Sequence, residues 1–450
     1  MKDNSINDSK HNKLRLIKLA HFAASVLVFA LVWFRLRYHG EIDFTSTAFR
    51  YDFFVIIAYA ALLLFFSRTY NAYLLGYSRV RDLLFSQITS QLFSAAIIYI
   101  AVSIVWNRAD NLSIIVINCA IQAVLDIIWD YLANKYFFKL NPSKKTILIY
   151  RNERDKRRFG TLSGKKGEKL FKIKYELEHN GEFSEIEDLL KDYEAIFVAG
   201  VNSRCRNGIL KYCKETNTPG YFLPHVGDII MQDARYIEAF DAPLFLVDRK
   251  VINQEFLILK RLFDVTASAV GLVILSPVMI ITAIFIKFYD GGPVIYRQVR
   301  LTKDGKEFRI CKFRSMSVDA EKDGIARLST GDNDNRVTPV GRIIRKCRID
   351  ELPQLWNILK GDMSFVGPRP ERPEIAEQYY RIMPDFKLRL QVKAGLTGYA
   401  QIYGKYNTDP YEKLEYDLMY IKDMSVLIDL RLMFATFGIL FKSESTEGVD

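Results

Sequence analysis

Residues 350–361 read DELPQLWNILKG and carry the strongest local signals in the chain. Two adjacent carboxylates, Asp350 and Glu351, precede apolar residues at helical spacing, and Gly361 fits the end of a short helix. Asp350 is a favourable N-cap, and Pro353 would lie in the first turn, where a missing N–H costs least. Because neighbouring helical residues point about 100° apart, we expect the two carboxylates to have different roles rather than to share a proton.

The sequence around this pair is strongly basic. The flanking cations are Arg336, Arg342, Arg345, Lys346, Arg348 and Arg369. A carboxylate pair at a helix N-terminus inside an arginine cluster is suited to handling phosphate. A lone Asp-Glu pair would more often belong to a capped surface helix, so the neighbouring motifs must decide between these two interpretations.

Composition narrows the class of protein. The chain has 450 residues, room for two or three domains, and a formal net charge of +11. Its basic residues flank apolar segments and phosphate-type motifs, without zinc-finger or helix-turn-helix spacing. This indicates an anionic membrane surface and a phosphorylated substrate, not nucleic acid. The five scattered cysteines fit reduced cytoplasmic domains. All histidines lie at or before His225, which excludes Ser-His or Cys-His catalysis and a His-ligated metal in the C-terminal half.

Four apolar stretches occupy the first 140 residues, roughly 16–34, 53–66, 84–106 and 112–132. Most are long enough to cross a hydrocarbon core of about 30 Å. Asp126 and Asp130 would be costly in lipid, so we expect them to face the bundle or water. Basic residues concentrate before the first stretch, between the second and third, and after the fourth, which places both ends of the bundle in the cytoplasm. We predict a four-helix transmembrane bundle over 1–140, with no cleaved signal peptide.

Residues 141–252 have the pattern of a small α/β domain. Short apolar runs at 146–150 and 195–199 suit buried parallel strands, 183–193 and 203–216 have helical spacing, and 221–224 fits a further strand. This is typical of half a Rossmann-like doubly wound sheet. The glycine-rich phosphate loop is replaced by RNER at 151–154, so we expect no nicotinamide cofactor and predict a scaffolding or regulatory role.

A fifth apolar segment, 256–286, is interrupted at Ser276 and Pro277. If it spanned the membrane, the arginine-rich region after it would lie outside the cell, against the positive-inside rule. A helix broken at Pro277 can instead enter the bilayer and return to the same face, with Ser276 satisfying a freed carbonyl. We therefore predict a re-entrant helix over 256–287 within a catalytic α/β-type domain at 253–450. A kinked spanning helix is the alternative.

Several cationic elements follow this segment. Residues 296–300 and 308–313 fit strands, 303–306 fit a turn, and the second strand ends with Lys312 and Arg314. A solvated cationic face would explain any one of them. It does not explain their combination with Arg345, the carboxylate pair and the rigid PRP turn that holds Arg369, which suits bidentate phosphate recognition. A calcium loop around Asp332 is excluded because the glycine at position six and the glutamate at twelve are missing.

The motifs KFRSM at 312–316, RVTPVG at 336–341, DELPQ at 350–354 and GPRP at 367–370 together resemble the bacterial sugar transferase family. These are the monotopic phosphoglycosyl transferases that start polysaccharide assembly on a polyprenyl phosphate. KAGLTG at 393–398 and Tyr416-Asp417 with Tyr420-Ile421 continue the match, which covers roughly 256–441. The four spans and the α/β domain are similar in architecture to the large members, the undecaprenyl-phosphate glucose or galactose phosphotransferases.

The resemblance implies a mechanism. Asp350 would attack the sugar-linked phosphorus of a UDP-sugar, UMP would leave, and polyprenyl phosphate would then take the sugar-phosphate from Asp350. Glu351 would assist the acceptor phosphate or help to hold Mg²⁺, so Asp350 and Glu351 are also the metal candidates. The phosphate-binding candidates are Lys312, Arg345 and Arg369, then Arg314 and Arg336.

The resemblance also implies a location and partners. It implies a multi-pass protein of the bacterial inner membrane with its catalytic domain on the cytoplasmic face. The bundle and the middle domain offer surfaces for a homodimer. Arg348-Ile349 stand where the family frequently has small polar residues, a departure that bears on sugar preference. The competing hypothesis is a non-catalytic membrane scaffold or sensor. A nucleotide-sugar epimerase or dehydrogenase is excluded by the missing dinucleotide loop.

Overall fold

The computed structural model describes residues 2–38, 47–78, 80–105, 113–160, 167–239, 242–247, 254–318, 320, 334–404 and 409–440. Positions 106, 112, 252 and 253, where predicted boundaries fall, and Asp332 lie outside the described residues. The chain divides into two compact units, Met1–Leu223 and Pro224–Asp450. The three-domain division stays a prediction.

Four long helices begin the first unit: α1 (Lys2–Tyr38), α2 (Thr47–Thr69), α3 (Val80–Val105) and α4 (Ser113–Leu140). Each contains a segment long and apolar enough to cross a membrane, as does one helix of the second unit. Their buried aromatic core includes Phe29 and Tyr59, whose rings stack with centroids 3.7 Å apart. The expectation that Asp126 and Asp130 face the bundle is confirmed, because both are fully buried.

A four-stranded parallel sheet completes the first unit, with strand order β2-β1-β3-β4. The elements are β1 (Lys144–Tyr150), α5 (Glu153–Arg157), β2 (Phe171–Glu178), α6 (Glu187–Leu190), β3 (Ala195–Ala199), α7 (Ser203–Thr216) and β4 (Gly220–Phe222). The strands predicted at 146–150 and 195–199 and the helix over 203–216 are confirmed, while the strand predicted at 221–224 lies at Gly220–Phe222. The helix predicted at 183–193 is shorter, since Phe183–Glu185 forms a separate 3₁₀ turn. No strand was predicted at β2, an edge strand whose exposed face carries charged residues.

The second unit is mixed α/β. Its elements are α8 (Val226–Gln232), β5 (Arg235–Ala239), β6 (Ala242–Leu246), α9 (Gln254–Asp290), β7 (Ile295–Leu301), β8 (Glu307–Phe313), α10 (Pro339–Lys346), α11 (Gln354–Lys360), β9 (Ser364–Val366), α12 (Pro373–Ile382), β10 (Gly395–Thr397), α13 (Tyr399–Tyr403), α14 (Pro410–Asp423) and α15 (Val426–Leu440). The strands form three pairs: β5–β6 and β7–β8 are antiparallel, and β9–β10 is parallel. The cationic hairpin predicted from 296 to 313 is therefore confirmed as β7–β8, with Ile295 opposite Phe313.

Helix α9 is continuous over 37 residues, with Pro277 inside it. Pro277 has no N–H to donate to the carbonyl of Val273, four residues earlier. The Ser276 hydroxyl donates to that carbonyl at 2.7 Å instead. One side of α9 packs on the rest of the second unit over residues 272–286. Leu272 and Leu275 contact the cluster around Leu355, and Ile286 packs with Phe313 and Ile344. The re-entrant path stays a prediction.

Candidate active site

Asp350 and Glu351 lie in a tight turn between α10 and α11, not in a helix. Arg348 has a left-handed backbone (φ 54°), and Ile349–Glu351 form a single 3₁₀ turn. Helix α11 begins at Gln354, so the prediction of Asp350 as a helix N-cap is wrong. The residues before Pro353 form the i→i+3 bonds of a 3₁₀ turn instead: the Arg348 carbonyl accepts from Glu351 N at 3.3 Å and the Ile349 carbonyl from Leu352 N at 3.1 Å. The predicted end of α11 at Gly361 (φ 100°) is confirmed.

The carboxylate of Glu351 is surrounded by three cations. Its Oε1 accepts from Lys312 Nζ at 2.8 Å and from Arg369 Nη2 at 3.0 Å, and its Oε2 lies 3.7 Å from Arg348 Nη1. Burial opposes ionisation of this side chain, but Lys312, Arg369 and Arg348 outweigh it and hold the pKa of Glu351 well below its usual range. Glu351 therefore acts as a fixed anion that gathers three cations from three segments of the chain.

The carboxylate of Asp350, unlike that of Glu351, has no such contacts with cations in the described part of the chain. Among the residues that the structure describes, none donates a hydrogen bond to its carboxylate or forms an ion pair with it. Burial, and next the negative charge of Glu351, raise the pKa of Asp350 to about 6, while Lys312, Arg345 and Arg348 lower it. At neutral pH this carboxylate is mostly ionised, in a cationic environment, with its oxygens uncommitted.

The cations that surround the pair are themselves held in place. Lys312 is the penultimate residue of β8. It is desolvated, which lowers its pKa, although the charge of Glu351 favours its ionised form. The Glu351 charge raises the pKa of Arg369. The backbone carbonyl of Arg369 accepts from Arg389 Nη2 at 2.8 Å, and Arg389 is paired with Asp417 at 2.8 Å; both partners of this pair are buried. Arg389 and Asp417 thus position the loop that carries Arg369.

A close backbone contact explains two glycines in the motifs. A Cβ on Gly367 would lie 2.4 Å from the carbonyl oxygen of Lys393, and one on Gly395 would lie 2.1 Å from the Gly367 nitrogen. Only residues without a side chain allow the loop after β9 to meet β10 this closely. The GPRP and KAGLTG motifs therefore pack closely against each other and together hold the loop that carries Arg369.

The other three arginine predictions have mixed outcomes. Arg345 Nε donates to Ser315 Oγ at 2.8 Å, and its charge acts on Asp350. Arg314 pairs with Asp290 at the end of α9, and Arg336 donates to both oxygens of Asp334 at 2.8 and 2.7 Å. The structure thus brings Lys312, Arg345 and Arg369 to the pair. Phosphate binding by Arg314 and Arg336 stays a prediction, and their contacts give both a role in holding the fold.

Sequence reasoning missed the role of Arg389 altogether. Asp417 entered only as part of a family motif, without a task. The relevant signal is a contact with the Arg369 carbonyl that only the fold creates. Arg348 was expected as one of the flanking cations and as a departure from the family pattern, but its left-handed backbone and its contact with Glu351 were not predicted.

Asp350 and Glu351 could supply only part of the ligand shell of a metal ion. Within the described ranges, no group of three or more His, Cys, Asp or Glu side chains could hold an ion. Mg²⁺ commonly takes one or two carboxylates together with substrate phosphate oxygens. Asp350 has free oxygens and Glu351 Oε2 has only a distant cation at 3.7 Å, so this pair fits Mg²⁺ when phosphates complete the shell.

Comparison with known proteins gives concordant matches. Residues 255–443 match the sequence model of the family described as "Bacterial sugar transferase". The chain is 38% identical over 236 residues to a UDP-glucose:undecaprenyl-phosphate glucose-1-phosphate transferase of Klebsiella pneumoniae, covering 51% of this chain and 50% of the relative. It is 42% identical over 181 residues to a UDP-N-acetylgalactosamine-undecaprenyl-phosphate N-acetylgalactosaminephosphotransferase of Aeromonas hydrophila, covering 40% and 42%.

The matched segment spans about half of the length of these two relatives, or less. A shorter relative is covered more fully. The chain is 47% identical over 135 residues to a protein of Bacillus subtilis (strain 168) named "Putative undecaprenyl-phosphate N-acetylgalactosaminyl 1-phosphate transferase", covering 30% of this chain and 74% of that relative. The segment that matches the family model contains the Asp350–Glu351 turn and the loop of Arg369, and the chain belongs to the bacterial sugar transferase family.

Proposed function

We propose that this protein transfers a sugar-1-phosphate from a UDP-sugar to undecaprenyl, or another polyprenyl, phosphate. The product would start an exopolysaccharide, capsule or O-antigen-type glycan. The observation that carries the proposal is the contrast inside the turn: Glu351 is bound by three cations, while Asp350 is an ionisable carboxylate with no partner among the described residues. The names of the relatives support the two substrate classes.

The reaction proceeds in two displacements. An Asp350 oxygen attacks the phosphorus that bears the sugar, the bond to the UMP oxygen breaks, and UMP leaves with the electron pair. A sugar-phosphate then remains bound to Asp350 as an acyl phosphate. A polyprenyl phosphate oxygen attacks the same phosphorus, and the Asp350 carboxylate is released. Two displacements at one carboxylate produce ping-pong kinetics.

In this scheme the transferred phosphoryl group is bound by Lys312, Arg345 and Arg369. Their fixed positive charges neutralise negative charge on the transferred phosphate without reorganisation. Lys312 and Arg369 also donate hydrogen bonds to Glu351, and these bonds keep both cations oriented before the substrate binds. Mg²⁺, held by Asp350 and Glu351 together with phosphate oxygens, would supply further charge neutralisation.

A re-entrant course for α9 belongs to the same proposal. Near its start, Lys260 Nζ donates to the Val366 carbonyl at 3.0 Å and to Asp429 at 2.5 Å. At its other end Asp290 pairs with Arg314. Both ends thus contact one folded unit, although 37 residues of helix measure about 55 Å. Between them the outer face is apolar and exposed, as at Val273 (74%) and Ile274 (67%), which suits lipid contact.

The path of α9 can be tested by labelling. In a background with all five cysteines replaced, single cysteines at exposed Glu255 and Lys287 should react with an impermeant maleimide from the same membrane face. Labelling of the two positions from opposite faces would mean that α9 spans. The catalytic unit would lie on the cytoplasmic face of the bacterial inner membrane, and a homodimer stays part of the proposal.

The activity is tested by UMP release from a panel of UDP-sugars with membranes that contain the protein. Release above a stoichiometric burst should require both polyprenyl phosphate and Mg²⁺. Asp350→Asn should abolish release and the phosphosugar adduct that mass analysis finds on residue 350. The exposed Asp385→Asn is the matched control and should behave as wild type. Substantial turnover by Asp350→Asn would rule out the covalent mechanism, and no turnover with any UDP-sugar would favour a scaffold.

A further inference from the structure

Near its start, α9 carries two adjacent cations, Lys260 and Arg261, that contact two different segments of the proposed active site. Neighbouring residues on a helix point about 100° apart, so two adjacent long side chains can reach separate neighbours. Neither residue belongs to the Asp350 turn or to the cations around it, and the proposed reaction gives Arg261 no task. The contacts of the two side chains connect α9 to both parts of the site.

Arg261 caps the C-terminal end of α11. Its Nη1 donates to the carbonyl of Ile358 at 2.7 Å, and its Nη2 donates to the carbonyl of Leu359 at 2.8 Å. The last carbonyls of a helix lack partners within the helix, and a cation there also lies at the negative end of the helix dipole. The planar guanidinium is shaped to donate to two acceptors at once, whereas an ammonium group is a single point charge. Arg261 therefore fixes one end of α11.

The other end of α11 lies next to the two carboxylates. The helix has seven residues, about 10 Å in length, and it begins three residues after Glu351. Its Leu355 and Ile358 pack with Leu272 and Leu275 of α9, so α11 is held along one side as well as at its capped end. A shift of α11 along its axis would break the Arg261 bonds, and the same shift would move the Asp350 turn.

Lys260 holds the other part of the site. Its Nζ donates at 3.0 Å to the carbonyl of Val366, which ends β9 three residues before Arg369. The Tyr420 hydroxyl lies 3.1 Å from the same carbonyl and 2.8 Å from Asp429 Oδ1. Asp429 Oδ2 also accepts from Lys260 at 2.5 Å, and both side chains of this ion pair are 10% exposed. The loop that carries Arg369 is thus attached to α9 at its first residue.

We propose that Arg261 is a positioning residue for the first displacement. Together with Lys260 it sets, from one turn of α9, the spacing between the attacking Asp350 and the loop whose Arg369 binds the phosphoryl group. This inference rests on the proposed function, because it requires Asp350 to be the nucleophile. A displacement of about 1 Å at a reacting group can cost roughly a hundredfold in rate. Loss of Arg261 should therefore slow the chemical step and leave donor binding nearly unchanged.

The burst of UMP released without acceptor separates positioning from folding. In the full-length protein in nanodiscs, with Mg²⁺ and an accepted UDP-sugar, the rate constant of the burst reports the first displacement, and its amplitude reports the number of competent sites. Arg261→Met should slow the burst about tenfold or more, at wild-type amplitude and with half-saturating donor within about threefold of wild type. Arg261→Lys retains the charge without the two-pronged cap and should recover part of the rate. Arg381→Met, which removes an exposed arginine from the last turn of α12, is the matched control and should behave as wild type.

Two results with Arg261→Met would overturn the proposal. One is a wild-type rate constant; the other is a lower amplitude with an unchanged rate constant, which would mean that Arg261 only stabilises the fold. If Arg261→Met does not fold, Arg261→Lys decides in its place: a slower burst at full amplitude supports positioning, and a wild-type rate constant overturns it. A wild-type protein that gives no burst with any UDP-sugar would instead overturn the covalent mechanism itself, so the two failures are distinguishable.

Discussion

Replacing Glu351 by glutamine should shift the pH dependence of donor cleavage. An attacking carboxylate must be ionised, and the pKa of Asp350 is raised to about 6 by burial and then by the Glu351 charge. In the wild type, the rate at low donor concentration should fall about tenfold per pH unit below pH 6. Glu351→Gln removes the neighbouring negative charge and frees Lys312 and Arg369, which Glu351 now binds. Both changes favour ionised Asp350, so its pKa should fall.

The size of the shift follows from Coulomb's law. Two unit charges about 6 Å apart interact by about 2.8 kcal/mol at an effective dielectric constant of about 20, equivalent to roughly two pKa units. Solvent around the turn reduces this interaction energy, so we expect the low-pH limb of the rate profile (the acid limb) to move down by about one pH unit. The maximal rate should also fall, since Lys312 and Arg369 lose their common anchor.

The assay is UMP release, measured as kcat/KM between pH 4.5 and 8, because this ratio reports the pKa of the free enzyme. Glu374→Gln, at an exposed glutamate of α12, is the control and should leave the limb in place. An acid limb that stays near pH 6 in Glu351→Gln, or moves upward, would refute the electrostatic coupling between the two carboxylates.

Three further substitutions test other contacts. Arg389→Lys retains the charge but lacks the planar fork that reaches the Arg369 loop, so kcat for UMP release should drop at least tenfold while thermal stability changes little; an unchanged kcat would contradict the positioning role. Gly367→Ala should lower Tm or prevent folding because its Cβ has no space, whereas Gly227→Ala, with nothing within 4 Å, should be tolerated. Lys260→Met leaves Asp429 buried and unpaired, which should cost about 3–5 kcal/mol in the free energy of unfolding; adding Asp429→Leu should recover part of that loss in the same denaturation measurement.

Helices and strands that coincide with uninterrupted apolar runs were predictable from the sequence. The apolar helices of the first unit, and strands β1 and β3, are long or continuous apolar runs, which predict membrane helices and buried parallel strands. Strand β2 escaped prediction because an edge strand with Lys172 and Lys174 on its exposed face lacks that signal. Its parallel pairing with β1 is set by tertiary structure.

The site was predictable in its residue types but not in its geometry. The carboxylates and cations are adjacent in the sequence or lie in recognisable motifs, so their clustering could be expected. The start of α11 was misplaced because Arg348 to Leu352 form the i→i+3 bonds of a 3₁₀ turn, which the spacing of the apolar residues does not distinguish from an α-helix. The division of labour between Asp350 and Glu351 depends on Lys312 and Arg369, which only the folded chain brings to one oxygen.

Helix α9 shares a small core with the turn that carries Asp350. Ile286 of α9 packs with Phe313 and Ile344, and Ile349 and Leu352 on either side of the two carboxylates lie against this cluster. If α9 follows the proposed re-entrant path, its depth in the bilayer fixes the height of Asp350 above the lipid phosphates. Changing acyl-chain length should then alter the rate with the lipid acceptor, while exchange between UMP and the soluble donor stays constant.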